Sequence, residues 1–311
     1  MLRPLLLAAL ALLPGCLLPP VTHSARPEVP LGPWEPGSVH SEATGLDYAY
    51  LYLPGPGPGA PAVVLLPGGI FDERFWLYTA DLARRYQVYA LQWPTASSLY
   101  HGRVEDLGDS AADFLGALGV ERLDLVGVSA GAYAAIDLTT RHPEIQVDHL
   151  VLISAVMFAI TPEESRKRSH MGRLGASIDP DLRARVVQRQ ALRAPYDAAP
   201  GLVQQLDTFW VRPASWYDQV FGMTANQADR PQDTRSISCP VLILQGDADE
   251  IMPVRLARLS PSVFQDARYE EFPGWGHAMV FAHGPAIAAR ILAFTAERGP
   301  SSAPAGAAPG G

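Results

Sequence analysis

Apolar residues recur along this chain in two rhythms, and the rhythms alternate. Leu46–Leu53 alternates polar and apolar positions, the period of an outer strand with one covered face. Ala62–Leu66 is a short, continuous apolar run, as a strand buried on both faces requires. Phe75–Tyr86 has a helical period, and Gln87–Gln92 reads as a further strand. Val104–Leu118 carries apolar residues at helical spacing and turns Asp106, Asp109 and Asp113 outward. Leu123–Val128 is again a strand, and Ala130–Arg141 a helix built of small residues. His149–Ser154, Val241–Gln245 and Arg268–Phe272 complete the strands, and Pro285–Glu297 closes the pattern as a helix. Strands that alternate with helices are joined by right-handed crossovers. The predicted fold class is therefore α/β: a mostly parallel central sheet covered by helices on both faces.

One stretch breaks the alternation. Residues 158–236 contain no strand pattern but several helical ones, and they are too long for a connecting loop. A helical cap inserted into a core of residues 41–157 and 237–298 is the simplest account. Residues 17–40 are rich in Pro and Gly and lack periodicity, which predicts a flexible tether, and the low-complexity residues 299–311 predict a disordered tail.

Residues 1–16 combine a positive start at Arg3, an apolar run from Leu5 to Leu13, and the ending Leu13-Pro14-Gly15-Cys16. The run is too short to span a bilayer and reads as a signal peptide. Its ending resembles the lipobox of bacterial lipoproteins, although Pro14 replaces the usual small residue. The resemblance implies a lipid on Cys16 and a location at a membrane surface facing the periplasm or cell exterior, with plain secretion as the alternative. Only one other cysteine exists, Cys239 before a strand, so no disulfide is expected and a buried, inert thiol is.

Composition narrows the function by exclusion. With 48% hydrophobic and 18% charged residues the chain can build a large core, and a net charge of −8 without a basic stripe excludes a nucleic-acid partner. The histidines His101, His142, His149 and His170 show no metal-ligand spacing, so no metal and no cofactor is expected.

The chemistry starts at Gly127-Val128-Ser129-Ala130-Gly131, where a strand passes directly into a helix. A serine on so tight a turn exposes its hydroxyl at a helix start, and its neighbours must be small. Alone, the pentapeptide fits a glycine-softened turn as well. Two later segments change that. Val241–Gln245 ends in Gly246-Asp247-Ala248-Asp249-Glu250, which brings carboxylates to the end of a buried strand, where open α/β sheets bind ligands. Gly274-Trp275-Gly276-His277 then places a histidine in a glycine-rich loop after the last strand. The chain order Ser, Asp, His is that of nucleophile-elbow hydrolases. Earlier, Pro67-Gly68-Gly69-Ile70 ends a strand in two glycines, which allows a backbone N–H to approach a substrate oxygen.

With these motifs the chain resembles the α/β-hydrolase superfamily over roughly residues 45–298, including Arg141-His142-Pro143-Glu144 at a helix end. The resemblance implies Ser129 as nucleophile, His277 as base and Asp249 as orienting acid, because the acid usually stands three residues after the glycine that ends this strand. It implies an oxyanion hole from the backbone N–H groups of Gly69 and Ala130, with Ile70 the rival for Gly69. Many relatives have His-Gly where this chain has Pro67-Gly68. Asp247 and Glu250 compete with Asp249; Asp124 and Asp148 precede strands and belong at the opposite edge; His283 is a weak rival for His277. Trp275, Tyr133, Phe71, Trp210 and Trp216 are pocket-lining candidates or ordinary core. The implied activity is hydrolysis of a small-molecule carboxylic ester or lipid through an acyl-enzyme. The alternatives are a ligand-binding surface lipoprotein without catalysis, and a cofactor-free perhydrolase or acyltransferase. Oligomeric state is not written in the sequence.

Overall fold

The computed structural model describes residues 30–69, 72–94, 104–155, 157, 234–249 and 251–298. Cys16, the signal segment, Ile70, Phe71, His101, His170, Trp210, Trp216, Glu250, the tail and all of the expected cap up to residue 233 lie outside the described residues.

Eight strands form one sheet: β1 (Glu35–His40), β2 (Asp47–Leu53), β3 (Ala62–Leu66), β4 (Gln87–Leu91), β5 (Arg122–Val128), β6 (Gln146–Ile153), β7 (Val241–Gly246) and β8 (Ala267–Phe272). Their order is β1-β2-β4-β3-β5-β6-β7-β8. β1 and β2 are antiparallel, β2 pairs antiparallel with β4, and every later pair is parallel. All parallel strands therefore end on one edge, which gathers their C-terminal loops.

Helices cover both faces. α1 (Val104–Leu118) and α2 (Ala130–Arg141) lie against one, and α5 (Gly284–Arg298) with the 3-10 segment Glu73–Arg84 against the other. The short helices α3 (Val254–Ala257) and α4 (Met279–Ala282) follow β7 and β8. Period-two alternation divides β3 between two cores. Val64 and Leu66 join α1 and α2, while Val63 and Leu65 join Phe75, Trp76, Phe281 and Ile287. Val63, Val64, Leu65 and Leu66 are all 0% exposed, which explains why this strand is apolar at every position. Each such side chain contributes about 1.5–3 kcal/mol by leaving water.

Three expectations need correction. Residues 35–40 are not tether but strand β1, registered from Glu35 opposite Tyr52 to His40 opposite Asp47. Its side chains are mostly exposed, so no apolar alternation marks it; backbone pairing and the ends hold it. The Trp34 indole donates to Leu77 O at 3.0 Å, and Ser41, Thr44 and Tyr48 all donate to the Asp113 carboxylate at 2.6, 2.6 and 2.8 Å. Asp113 thus faces the β1–β2 hairpin rather than open solvent, and Asp106 is buried as well. Finally, the segment expected as a helix over 75–86 is a 3-10 run kinked at Thr79.

Candidate active site

The elbow follows from backbone crowding. A Cβ on Gly127 would stand 2.6 Å from Gly131 C and 2.7 Å from Ala132 Cα. A Cβ on Gly131 would stand 2.6 Å from Pro67 O and 2.7 Å from Leu66 C. Only hydrogen fits at either place, so α2 can start directly against β3 and β5. Between the two glycines Ser129 adopts φ 54° and ψ −118°, outside the basins open to a residue with a side chain. Such strain costs on the order of 1–3 kcal/mol and persists only where the surroundings enforce it. They do so here: Ser129 N–H donates to Ile153 O at 2.9 Å, and Ser129 O accepts from Ala132 N at 3.0 Å.

Ala130 is the first residue of α2, whose leading N–H groups have no acceptor inside the helix. Gly69 lies three residues beyond β3. The indole N–H of Trp93, two residues beyond β4, donates to Pro67 O at 2.9 Å and fixes the start of that loop.

Asp249 and His277 are brought together by a second crowded contact. A Cβ on Gly246 would stand 2.6 Å from Trp275 C, so the turns after β7 and β8 lie against each other. Asp247 N donates to Phe272 O and Ala248 N to Trp275 O, both at 3.1 Å, and Asp247 Oδ1 accepts from Gly274 N at 2.6 Å. Across this zipper, His277 Nδ1 meets Asp249 Oδ2 at 2.9 Å, with both side chains buried. Asp249 Oδ1 accepts from Ile251 N and Met252 N at 2.9 and 2.8 Å, and Oδ2 also accepts from the Gln245 amide at 3.0 Å. Burial opposes ionisation of Asp249, but the imidazole and these donors outweigh it and hold the carboxyl below its usual range. An ionised Asp249 requires a proton on Nδ1 of His277. Nε2 is then the ring nitrogen turned away from the carboxylate.

The other sequence candidates are placed elsewhere. Asp247 braces the turn through Gly274. Asp124 pairs with His149 Nδ1 at 2.6 Å, and Asp148 with Arg122 Nε at 2.7 Å, both at the strand starts, far along the sheet from the elbow. His283 stacks on Trp275 at 3.9 Å between ring centres, and burial pushes its pKa down. Trp275 also stacks on Phe272, at 4.3 Å. Tyr133 is buried, its hydroxyl 4.0 Å from Met252 Sδ. Cys239 is buried and its thiol is pushed up to about 12 by desolvation.

Three participants in the site carried no sequence signal strong enough to name them: Trp93, Gln245 and Ser154. A tryptophan after an apolar strand reads as core, and a glutamine inside one reads as an interruption. Ser154 donates from Oγ to His277 O at 3.3 Å.

At one edge of this mostly parallel sheet stand a strained serine after β5 and a buried Asp–His pair on the loops after β7 and β8. The chain belongs to the alpha/beta hydrolase family, whose family model matches residues 63–290. It is 24% identical to the carboxylesterase YbfK of Bacillus subtilis (strain 168), over 76% of this chain and 80% of that protein. It is 25% identical to a non-heme haloperoxidase of Rhodococcus erythropolis, over 62% of this chain and 78% of that protein. Among solved structures, a thermophilic esterase from Thermogutta terrifontis superposes with a TM-score of 0.67 at 18% identity, covering 85% of this chain and 98% of the esterase.

Proposed function

We propose that this chain hydrolyses a small-molecule carboxylic ester or lipid through an acyl-enzyme on Ser129. The observation that carries the reading is the 2.9 Å contact between the buried His277 and Asp249, on the same sheet edge as the strained Ser129. In this reading His277 Nε2 takes the Ser129 hydroxyl proton as Oγ attacks the ester carbonyl. Asp249 holds the imidazole tautomer and stabilises the imidazolium. The N–H groups of Ala130 and Gly69 face the oxyanion, where each donor is worth roughly 3–4 kcal/mol of transition-state stabilisation. The tetrahedral intermediate collapses, the imidazolium protonates the departing alkoxide, and water activated by the same imidazole releases the acid.

The likeness to a carboxylesterase supports the ester over other acyl substrates. The likeness to a haloperoxidase favours one second reading, in which hydrogen peroxide replaces water as acyl acceptor and a peroxy acid leaves. The lipobox-like residues 13–16 support a diacylated Cys16 that holds the enzyme on a membrane surface, with residues 158–236 as cap over the strand ends.

The test is a panel of nitrophenyl esters of increasing acyl length, assayed with wild type and Ser129→Ala, with and without peroxide. Ester cleavage lost in the variant is expected. A folded wild type inert toward every ester and toward peroxy-acid formation is a binding protein, and overturns the reading.

A further inference from the structure

Among the described residues, only two non-glycine residues have a positive φ: Ser129 at 54° and Ser154 at 51°. They stand at the C-terminal ends of neighbouring parallel strands, β5 and β6. For Ser129 the family's chemistry accounts for the strain. Ser154 belongs to no motif, is 0% exposed, and occupies a conformation that glycine would adopt without cost.

What serine supplies and glycine lacks is the hydroxyl. Its Oγ donates to the backbone carbonyl of His277 at 3.3 Å. The backbone around it is pinned on both sides: Ser154 N–H donates to Leu244 O in β7 at 3.0 Å, and the preceding Ile153 O accepts from Ser129 N at 2.9 Å. Ser154 thus stands on a short backbone path between the nucleophile and the residue that carries the imidazole. The His277 loop is tied to the β7 turn through Gly246, Ala248 and Asp249, but those contacts set its distance from the acid. The Ser154 hydroxyl ties it toward the nucleophile.

Resting on the reading of His277 as the base, we infer that Ser154 is a positioning residue. Its strained backbone places the hydroxyl that holds the His277 main chain, and so the imidazole, in register with Ser129. It touches no reacting atom and acts only through His277.

Two substitutions separate the hydroxyl from the backbone strain. Ser154→Ala removes the hydroxyl and keeps a Cβ at positive φ; Ser154→Gly removes the hydroxyl and relieves the strain. Both are compared with wild type and with His277→Ala for kcat and KM on a nitrophenyl ester, alongside Tm. The expected result is a similar loss in kcat for both Ser154 variants, about three- to tenfold, the range that one neutral hydrogen bond commands. KM is expected to stay unchanged. Tm should fall in Ser154→Ala, which loses the hydrogen bond and keeps the strain, and hold near wild type in Ser154→Gly, where relief of the strain offsets that loss, so that the two variants share a rate and differ in stability. If kcat instead follows Tm, with Ser154→Gly as fast as wild type, or if neither variant loses rate, Ser154 is merely structural and the inference falls. A His277→Ala variant that keeps wild-type activity overturns the assignment of the base itself, and is read independently of the Ser154 pair.

Discussion

Replacing Gly131 with alanine adds a single methyl group, and its consequences can be worked from the backbone. The new Cβ stands 2.6 Å from Pro67 O and 2.7 Å from Leu66 C, and nearer still to Leu66 O. Every one of these atoms is backbone, so no side chain can rotate aside. Restoring ordinary contact requires α2 and the end of β3 to separate by about 1 Å, within the usual cost of overpacking, about 1–3 kcal/mol. For a domain of this size that is a fall in Tm of roughly 2–4 °C per kcal/mol. The two sides of this contact also carry the two proposed oxyanion donors: α2 begins with Ala130, and the β3 loop reaches Gly69. Separating them moves one donor relative to the other by a similar distance. A misplacement of 1 Å costs on the order of 10²-fold in rate. Gly131→Ala is therefore expected to lose rate out of proportion to stability: about 10²-fold in kcat/KM on a nitrophenyl ester, with a folded protein and a Tm lower by a few degrees. Calorimetry and initial-rate kinetics on the same preparation check both numbers. A variant with wild-type rate refutes the claim that this contact sets the oxyanion geometry.

Two other outcomes follow from the titrating groups. Because the Asp249 carboxyl is held below its usual range, its stabilising contribution is full above the unfolded value of about 3.9 and is lost as pH falls through the folded value. The Tm gap between wild type and Asp249→Asn should accordingly be widest near neutrality and narrow below about pH 4; a gap constant down to pH 3 in thermal melts would contradict this. Cys239, with its thiol pushed up to about 12, should resist alkylation at pH 8 in the native protein and react only after denaturation, as peptide mapping of iodoacetamide adducts will report.

What was legible in the sequence was whatever a local pattern encodes. Ala62–Leu66 announced a doubly buried strand because both of its faces need apolar side chains. The elbow was legible because two glycines and a serine at fixed spacing serve one tight turn. Asp249 and His277 were readable as candidates because their order along the chain, and the glycines beside them, restrict where each loop emerges from the sheet. Strand β1 was not legible, since Glu35–His40 is held by backbone pairing to β2 and by the Trp34 and Asp113 contacts, none of which leaves an apolar period. Asp113 read as a solvent-facing acid because helical spacing assigns a face but does not reveal that a hairpin will cover it. Trp93 and Ser154 were hidden for a related reason: each acts on the site through a partner distant in sequence. Gln245 reaches Asp249 only four residues on, but a glutamine inside an apolar strand reads as an interruption. The positive φ of Ser154 is enforced by neighbours in β7 and in the His277 loop, and nothing in the residues around it requires that conformation.

The central claim is that Ser129 is an activated nucleophile. Treating the protein with a fluorophosphonate and locating the adduct by mass spectrometry tests it most directly. A single adduct on the peptide that carries Ser129, absent in Ser129→Ala and formed at least a hundredfold more slowly in His277→Ala, is the predicted result. A folded wild type that gains no adduct, or one modified at another residue, would contradict it.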